Sequence, residues 1–97
     1  MSARASEPLR RTHRIELTNT ARRNLAALPR DVLARVDARI LALATDARPP
    51  GSKKLAGGSE DLYRVRVGDW RIVYEVRDKV LLVLVIRIAH RREVYRR

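Results

Sequence analysis

The stretch LYRVRVGDWRIVYEV, residues 62–76, constrains the fold of this chain more than any other. Apolar residues alternate on both sides of Gly68-Asp69, the pattern of two strands joined by a two-residue turn. Gly at the first turn position suits type II′. That loop length dictates the register: Val67 opposite Trp70, Arg66 opposite Arg71, Val65 opposite Ile72, Arg64 opposite Val73. Side chains directly opposite lie roughly 4.5–5.5 Å apart at Cβ, where like charges destabilise an antiparallel pair. Alternation also separates the faces. Tyr63, Val65, Val67, Trp70, Ile72, Tyr74 and Val76 share an apolar side, while Arg64, Arg66, Arg71 and Glu75 point to the other.

The rest of the chain supplies what packs on the apolar side. HRIELT, residues 13–18, alternates and reads as a first strand. Thr18 is an N-cap for a helix over Asn19–Leu28, whose Ala21, Leu25 and Leu28 recur at helical spacing. Pro29 breaks it. A second helix is predicted from about Arg30 to Thr45, with Leu33, Val36, Ile40 and Leu43 on one face and Arg35, Asp37 and Arg39 on a solvated one. Residues 47–60 form a long loop rich in Pro, Gly and Ser. Strands follow at about 61–67, 70–77 and 80–88, with a turn near Asp78-Lys79. The run VLLVLVI is apolar on both sides, as a central strand would be. The expected fold is α/β of the α+β kind: a four-stranded, antiparallel-dominated sheet in the order β-α-α-β-β-β. Both N-terminal helices pack on one face, and the arginine face is left open. Residues 1–12 read as a flexible basic tail and residues 13–97 as a single domain, without internal repeats.

Why a small domain would oppose two arginines is framed by its charge. The 97 residues carry 22 basic against 11 acidic side chains, net +11, and nineteen of the basic ones are arginine. The isoelectric point is near 11.5. Arginine's planar fork matches phosphate oxygens better than a lysine point charge does. Such a balance is the electrostatic footprint of a nucleic-acid binder. A solvated basic surface or an acidic protein partner are the alternatives. There is no cysteine, so disulfide scaffolds and cysteine metal sites are excluded. The first twelve residues hold no apolar signal segment, and the longest apolar run, residues 80–86, is too short to cross a membrane. A cytoplasmic protein is expected.

Three arginines on one uncovered face cost folding free energy unless a polyanion sits on them, since phosphate oxygens satisfy guanidinium donors. Neutralisation by Glu75 and solvent is the competing explanation. RIAHRREVYRR, residues 87–97, adds Arg87, His90, Arg91, Arg92, Tyr95, Arg96 and Arg97 at the exit of the central strand. His90 is either incidental in a basic tail or a proton acceptor. Tyr95 either closes the core edge, stacks on a base, or acts as an acid or base with a pKa lowered from about 10 by neighbouring cations. No carboxylate cluster or His/Cys spacing suggests a metal site, and no metal or cofactor is expected.

The hairpin, the apolar strand after it and HRREVYRR together resemble the RelE branch of the RelE/ParE toxin superfamily, and the PPGSKKLAG and LAALPRDV stretches fit the same pattern. The resemblance covers roughly residues 13–97. It implies the toxin of a type II toxin–antitoxin pair, cutting mRNA in the ribosomal decoding site. It places the basic pair before the turn on Arg64 and Arg66, the arginine that holds the scissile phosphate on Arg71, the arginine after the last strand on Arg91, and the base or stacking tyrosine on Tyr95. His90 matches relatives with a histidine there. Cleavage by 2′-OH transesterification then uses Arg71 and Arg91 on the phosphate, Tyr95 or His90 as base, and Arg64 or Arg66 on the leaving oxygen. Lys53, Lys54, Arg87, Arg92, Arg96 and Arg97 are expected to bind RNA. The expected partners are mRNA on the ribosome and an acidic, partly disordered antitoxin. A ParE-type toxin acting on DNA gyrase and a non-catalytic RNA-binding module are the alternative readings.

Overall fold

The computed structural model describes residues 12–55 and 61–92. Strand β1 (Arg14–Leu17) leads into helix α1 (Asn19–Ala26) and helix α2 (Arg30–Ala42). A two-residue strand β2 (Lys53–Lys54) precedes β3 (Asp61–Val67), β4 (Trp70–Arg77) and β5 (Leu82–His90). The sheet runs β1-β5-β4-β3-β2, with β1 parallel to β5 and every other pair antiparallel. The expected tail over residues 1–12 falls almost wholly outside the described residues.

The sheet has five strands rather than the expected four. The additional one comes from the long loop, where Lys53 pairs with Arg64 and Lys54 with Tyr63. No alternation marks so short a strand, and its formation depends on the free edge that β3 offers.

Both helices sit where their apolar spacing requires. Thr18 caps α1 by accepting a hydrogen bond from the Ala21 backbone N–H at 3.0 Å, and Ala21 is fully buried. α2 places Val36, Ile40 and Leu43 in the core, each at most 2% exposed. Its regular part stops at Ala42, and Leu43, Ala44 and Thr45 continue as tighter turns onto the carbonyls three residues back. α1 lies on β5 and α2 on β3, over one face of the sheet. Tyr63, Val65, Ile72, Tyr74, Val76, Val83 and Val85 meet them there. Each such buried side chain contributes about 1.5–3 kcal/mol. Cross-strand Tyr63 and Tyr74 stack with ring centroids 5.9 Å apart, and the Tyr74 hydroxyl donates to the Ala47 carbonyl at 2.8 Å.

The β4–β5 connection is a 3₁₀ turn over Asp78–Val80 followed by Leu81 at φ 50, so β5 begins at Leu82, later than predicted. β5 is central, as its two-sided apolarity predicts, and it carries a bulge. Tyr74 faces Val85 while Val73 faces Arg87, so Ile86 is an extra residue. Without it Arg87 would follow Val83 and Val85 under the helices. With it, Ile88 and His90 take that side and Arg87 emerges on the other. β1 pairs only as far as Val85, and α1 satisfies the exposed edge beyond. Thr18 Oγ1 donates to the Ile86 carbonyl at 2.6 Å, and Asn24 Oδ1 accepts from the Ile88 N–H at 3.0 Å.

Candidate functional site: an arginine cleft

The register between β3 and β4 is the one the turn length dictates, with Val67 opposite Trp70 and Arg66 opposite Arg71. Gly68 has φ 60 and Asp69 has no positive φ, as a type II′ turn requires. β2 then sets Lys53 beside Arg64 on the same face. Together Gly51, Lys53, Arg64, Arg66 and Arg71 line a cleft of about 110 Å³. A water's share of liquid volume is about 30 Å³, so the cleft accommodates a group of phosphate size. Among the described residues, four cations surround it and no carboxylate lines it.

Arg71 is the unusual member. It is 5% exposed, and its Nη1 donates to the carbonyls of Gly68 at 3.4 Å and Trp70 at 3.3 Å. Its Nε is buried and has no hydrogen-bond partner among the described residues. A buried cation is ordinarily paired with a carboxylate, and the one on this face of β4 is already engaged. Glu75 accepts from Arg77 Nε at 2.9 Å and Nη2 at 3.2 Å. Neutralisation of the arginines by Glu75 is therefore not what the fold provides. Nor is the face open throughout, as the alternation suggested. Arg66 is exposed, but Arg71 and Glu75 are buried; Gly51 and Lys53 share the cleft with the first, and Arg77 folds back onto the second.

The same turn reaches the C-terminal arginines. The Arg91 backbone N–H donates to the Asp69 carbonyl at 2.6 Å, and Arg91 Nη1 lies 3.6 Å from Asp69 Oδ1. Three consecutive turn residues thus hold Arg71 and Arg91 by their carbonyls. Arg87, exposed and opposite Val73, shares the cleft's face.

Other residues named from sequence lie elsewhere. His90 pairs with Trp70 across β4 and β5, and its ring stands edge-on to the indole at 5.1 Å. The bulge at Ile86 turns it to the helix side, away from Arg71, and its Nδ1 accepts from the Arg92 backbone N–H at 3.3 Å. Lys54 faces that side as well, and its Nζ pairs with Asp61 at 3.2 Å. Arg92 is exposed just past β5. Tyr95, Arg96 and Arg97 lie outside the described residues.

Sequence reasoning missed Gly51, Asp69 and an ionic clasp around Arg48. The clasp joins the long loop to β3 and to the β4–β5 turn. Arg48 donates to Asp78 at 2.8 Å, to Asp61 at 3.1 Å and to the Tyr63 hydroxyl at 2.7 Å, and its guanidinium also lies over the Tyr63 ring. His13 Nε2 reaches Asp78 at 3.0 Å. Hydrogen bonds to Asp78 and Tyr63 hold the Arg48 pKa above its ordinary value, and the Asp78 carboxyl is held below its own by Arg48 and then His13. Pro50-Gly51 was a readable turn signal, and Gly51 has φ 94. Nothing local in the sequence marks the partners of Arg48.

Residues 15–95 match the family of ParE toxins of the type II toxin–antitoxin system parDE. Toxin RelG of Mycobacterium tuberculosis is 33% identical over 85 residues, which cover 86% of this chain and 95% of that protein. Among solved structures, the archaeal RelE–RelB complex from Pyrococcus horikoshii superposes with a TM-score of 0.74 at 27% identity, covering 82% of this chain and 96% of that one. The toxin–antitoxin complex RelBE2 from M. tuberculosis gives 0.72 at 28% identity, covering 81% and 91%. Fold, arginine hairpin and matches agree: the chain belongs to the RelE/ParE superfamily, as a toxin of a type II toxin–antitoxin system.

Proposed function

We propose that this toxin is a ribosome-dependent endoribonuclease that cuts mRNA by 2′-OH transesterification without a metal and so arrests translation. The observation that carries the reading is Arg71, a buried guanidinium whose Nε has no partner among the described residues, in a cleft of cations that none of the described carboxylates lines. In the reaction a base takes the 2′-OH proton and the 2′-oxygen attacks the adjacent phosphorus. The 5′-oxygen leaves with a proton, giving a 2′,3′-cyclic phosphate and a 5′-hydroxyl. Arg71 and Arg91 hold the phosphate charge that grows in the transition state. Arg64 or Arg66 stabilises or protonates the leaving oxygen. His90, on the helix side against Trp70, is poorly oriented for this cleft, so the base in this reading is Tyr95. Lys53, Arg87, Arg92, Arg96 and Arg97 hold the RNA backbone, and Lys54 contributes only by exchanging Asp61 for a phosphate.

The antitoxin of this pair is an acidic segment that folds on binding and covers the arginine face. Induction of the toxin in cells, followed by primer extension on translated mRNA, tests the activity. Cleavage that appears on translated mRNA and disappears in Arg71→Ala supports it. Intact mRNA alongside DNA-damage signalling would instead favour a gyrase-directed toxin, the reading suggested by the ParE description of the matching family. Ribosome binding without cleavage in the wild type would leave a binding module.

A further inference from the structure

A second cationic recess lies beside the cleft. Arg35, Ala38, Arg39 and Ala42 of α2 face Arg66 and Val67 at the end of β3 across a groove of about 490 Å³. β2 begins at Lys53, opposite Arg64, so it does not pair with Arg66, and this side chain lines both recesses. Arg35 and Arg39 were readable from sequence only as the solvated face of an amphipathic helix. The fold gives them a different setting. Arg39 Nε is buried and has no hydrogen-bond partner among the described residues, and Arg35 extends over the β3–β4 turn, its Nη1 3.6 Å from where a Cβ on Gly68 would stand. Neither arginine makes an ion pair among the described residues, and no carboxylate lines the groove.

We propose that this groove is a second phosphate subsite, in which Arg35, Arg39 and Arg66 hold the RNA strand beyond the scissile phosphate. The inference rests on the nuclease reading above. The three guanidiniums continue the positive track of Arg71 around the sheet edge, and a phosphate oxygen satisfies the buried Arg39 Nε as no side chain here does. The apolar floor of Ala38, Ala42 and Val67 leaves room for the sugar of a bound nucleotide.

Fluorescence anisotropy on the free toxin with 2′-O-methyl RNA, which lacks the nucleophile, tests the subsite. The probes are a dinucleotide and an octanucleotide, and the variants are Arg35→Ala/Arg39→Ala and Arg35→Lys/Arg39→Lys. Each single-strand phosphate contact contributes about 0.7 to the slope of log K against log salt. The alanine pair should lower that slope by about 1.4 on the octanucleotide, about 25-fold in affinity at 0.1 M salt. Dinucleotide binding should stay unchanged, and the lysine pair should restore most of the slope. Unaltered octanucleotide binding by the alanine pair would overturn the subsite and leave the nuclease reading standing. Equal losses on both probes would also overturn it, by showing damage to the cleft itself. Antitoxin affinity lost with octanucleotide affinity intact would assign the groove to a protein instead. A wild-type toxin that binds the octanucleotide no more tightly than the dinucleotide would likewise overturn the subsite, while the nuclease reading, which places cleavage on the ribosome, would still be tested by primer extension.

Discussion

Replacing Arg71 with methionine separates a residue kept for an anion from one kept for the fold. Methionine is similarly long, apolar and adaptable, so it fills the space without the charge. The hydrogen bonds lost are the two from Nη1, at 3.4 and 3.3 Å, both longer than the usual N–H···O distance of about 2.9–3.0 Å. The freed Gly68 carbonyl belongs to an exposed residue and can turn to water. Together these cost about 1 kcal/mol. On the other side stands a buried donor with no partner among the described residues, a penalty of about 1–3 kcal/mol, and a like charge directly opposite at Arg66. Apolar replacement of buried charges of similar volume has stabilised proteins by about 1–4 kcal/mol. A net gain of about 1–2 kcal/mol follows, which for a domain of this size raises Tm by about 4–16 °C. Cleavage should fall about 10²–10³-fold, the scale of one lost transition-state charge contact. Calorimetry and primer extension on the same preparations give both numbers. Inorganic phosphate adds a further readout, since ten times its Kd stabilises the wild type by about 1.4 kcal/mol and should leave the variant unmoved. A variant that melts several degrees lower yet keeps full cleavage per folded molecule would refute the reasoning.

Three further outcomes are expected. Antitoxin affinity should fall steeply with added salt, because the surface to be covered is strongly basic; calorimetric titrations across salt concentrations check this, and indifference to salt would exclude charge neutralisation as the main contribution. The Asp78 carboxyl is held below its ordinary 3.8, so the stability it contributes is complete above about pH 4 and disappears as pH falls through the lowered value. Asp78→Asn should flatten that acid limb in pH-dependent melting, by a modest amount since the carboxylate is half exposed. Tyr74→Phe leaves the buried Ala47 carbonyl unpaired and should cost about 1–3 kcal/mol in denaturant unfolding. Burial raises the Tyr74 pKa, so in the wild type the contribution of its neutral form is full below about pH 10 and declines at more alkaline pH.

What the sequence by itself determined is local in origin. A two-residue loop with glycine first admits one register, so the opposition of Arg66 to Arg71 and the common face of Arg64 followed from alternation alone. Spacing at i, i+4 and i+7 located both helices and their buried sides, and the apolarity of β5 on both faces made it central. The tertiary structure decided what depends on distant partners. Lys53 joins the cleft only because the free edge of β3 captures part of the long loop. The extra residue at Ile86 reverses the alternation of β5, sending Arg87 to the arginine face and His90 to the helices. The unbonded β5 edge beyond Val85 tolerates this bulge because Thr18 and Asn24, more than sixty residues earlier, supply its hydrogen bonds. Arg35 and Arg39 look like ordinary solvent-facing positions until α2 is packed beside the end of β3, where the groove between them takes shape. Period and turn chemistry act over a few residues and can be read in one dimension; strand capture, a bulge and the desolvation of a guanidinium depend on which segments the folded chain brings together.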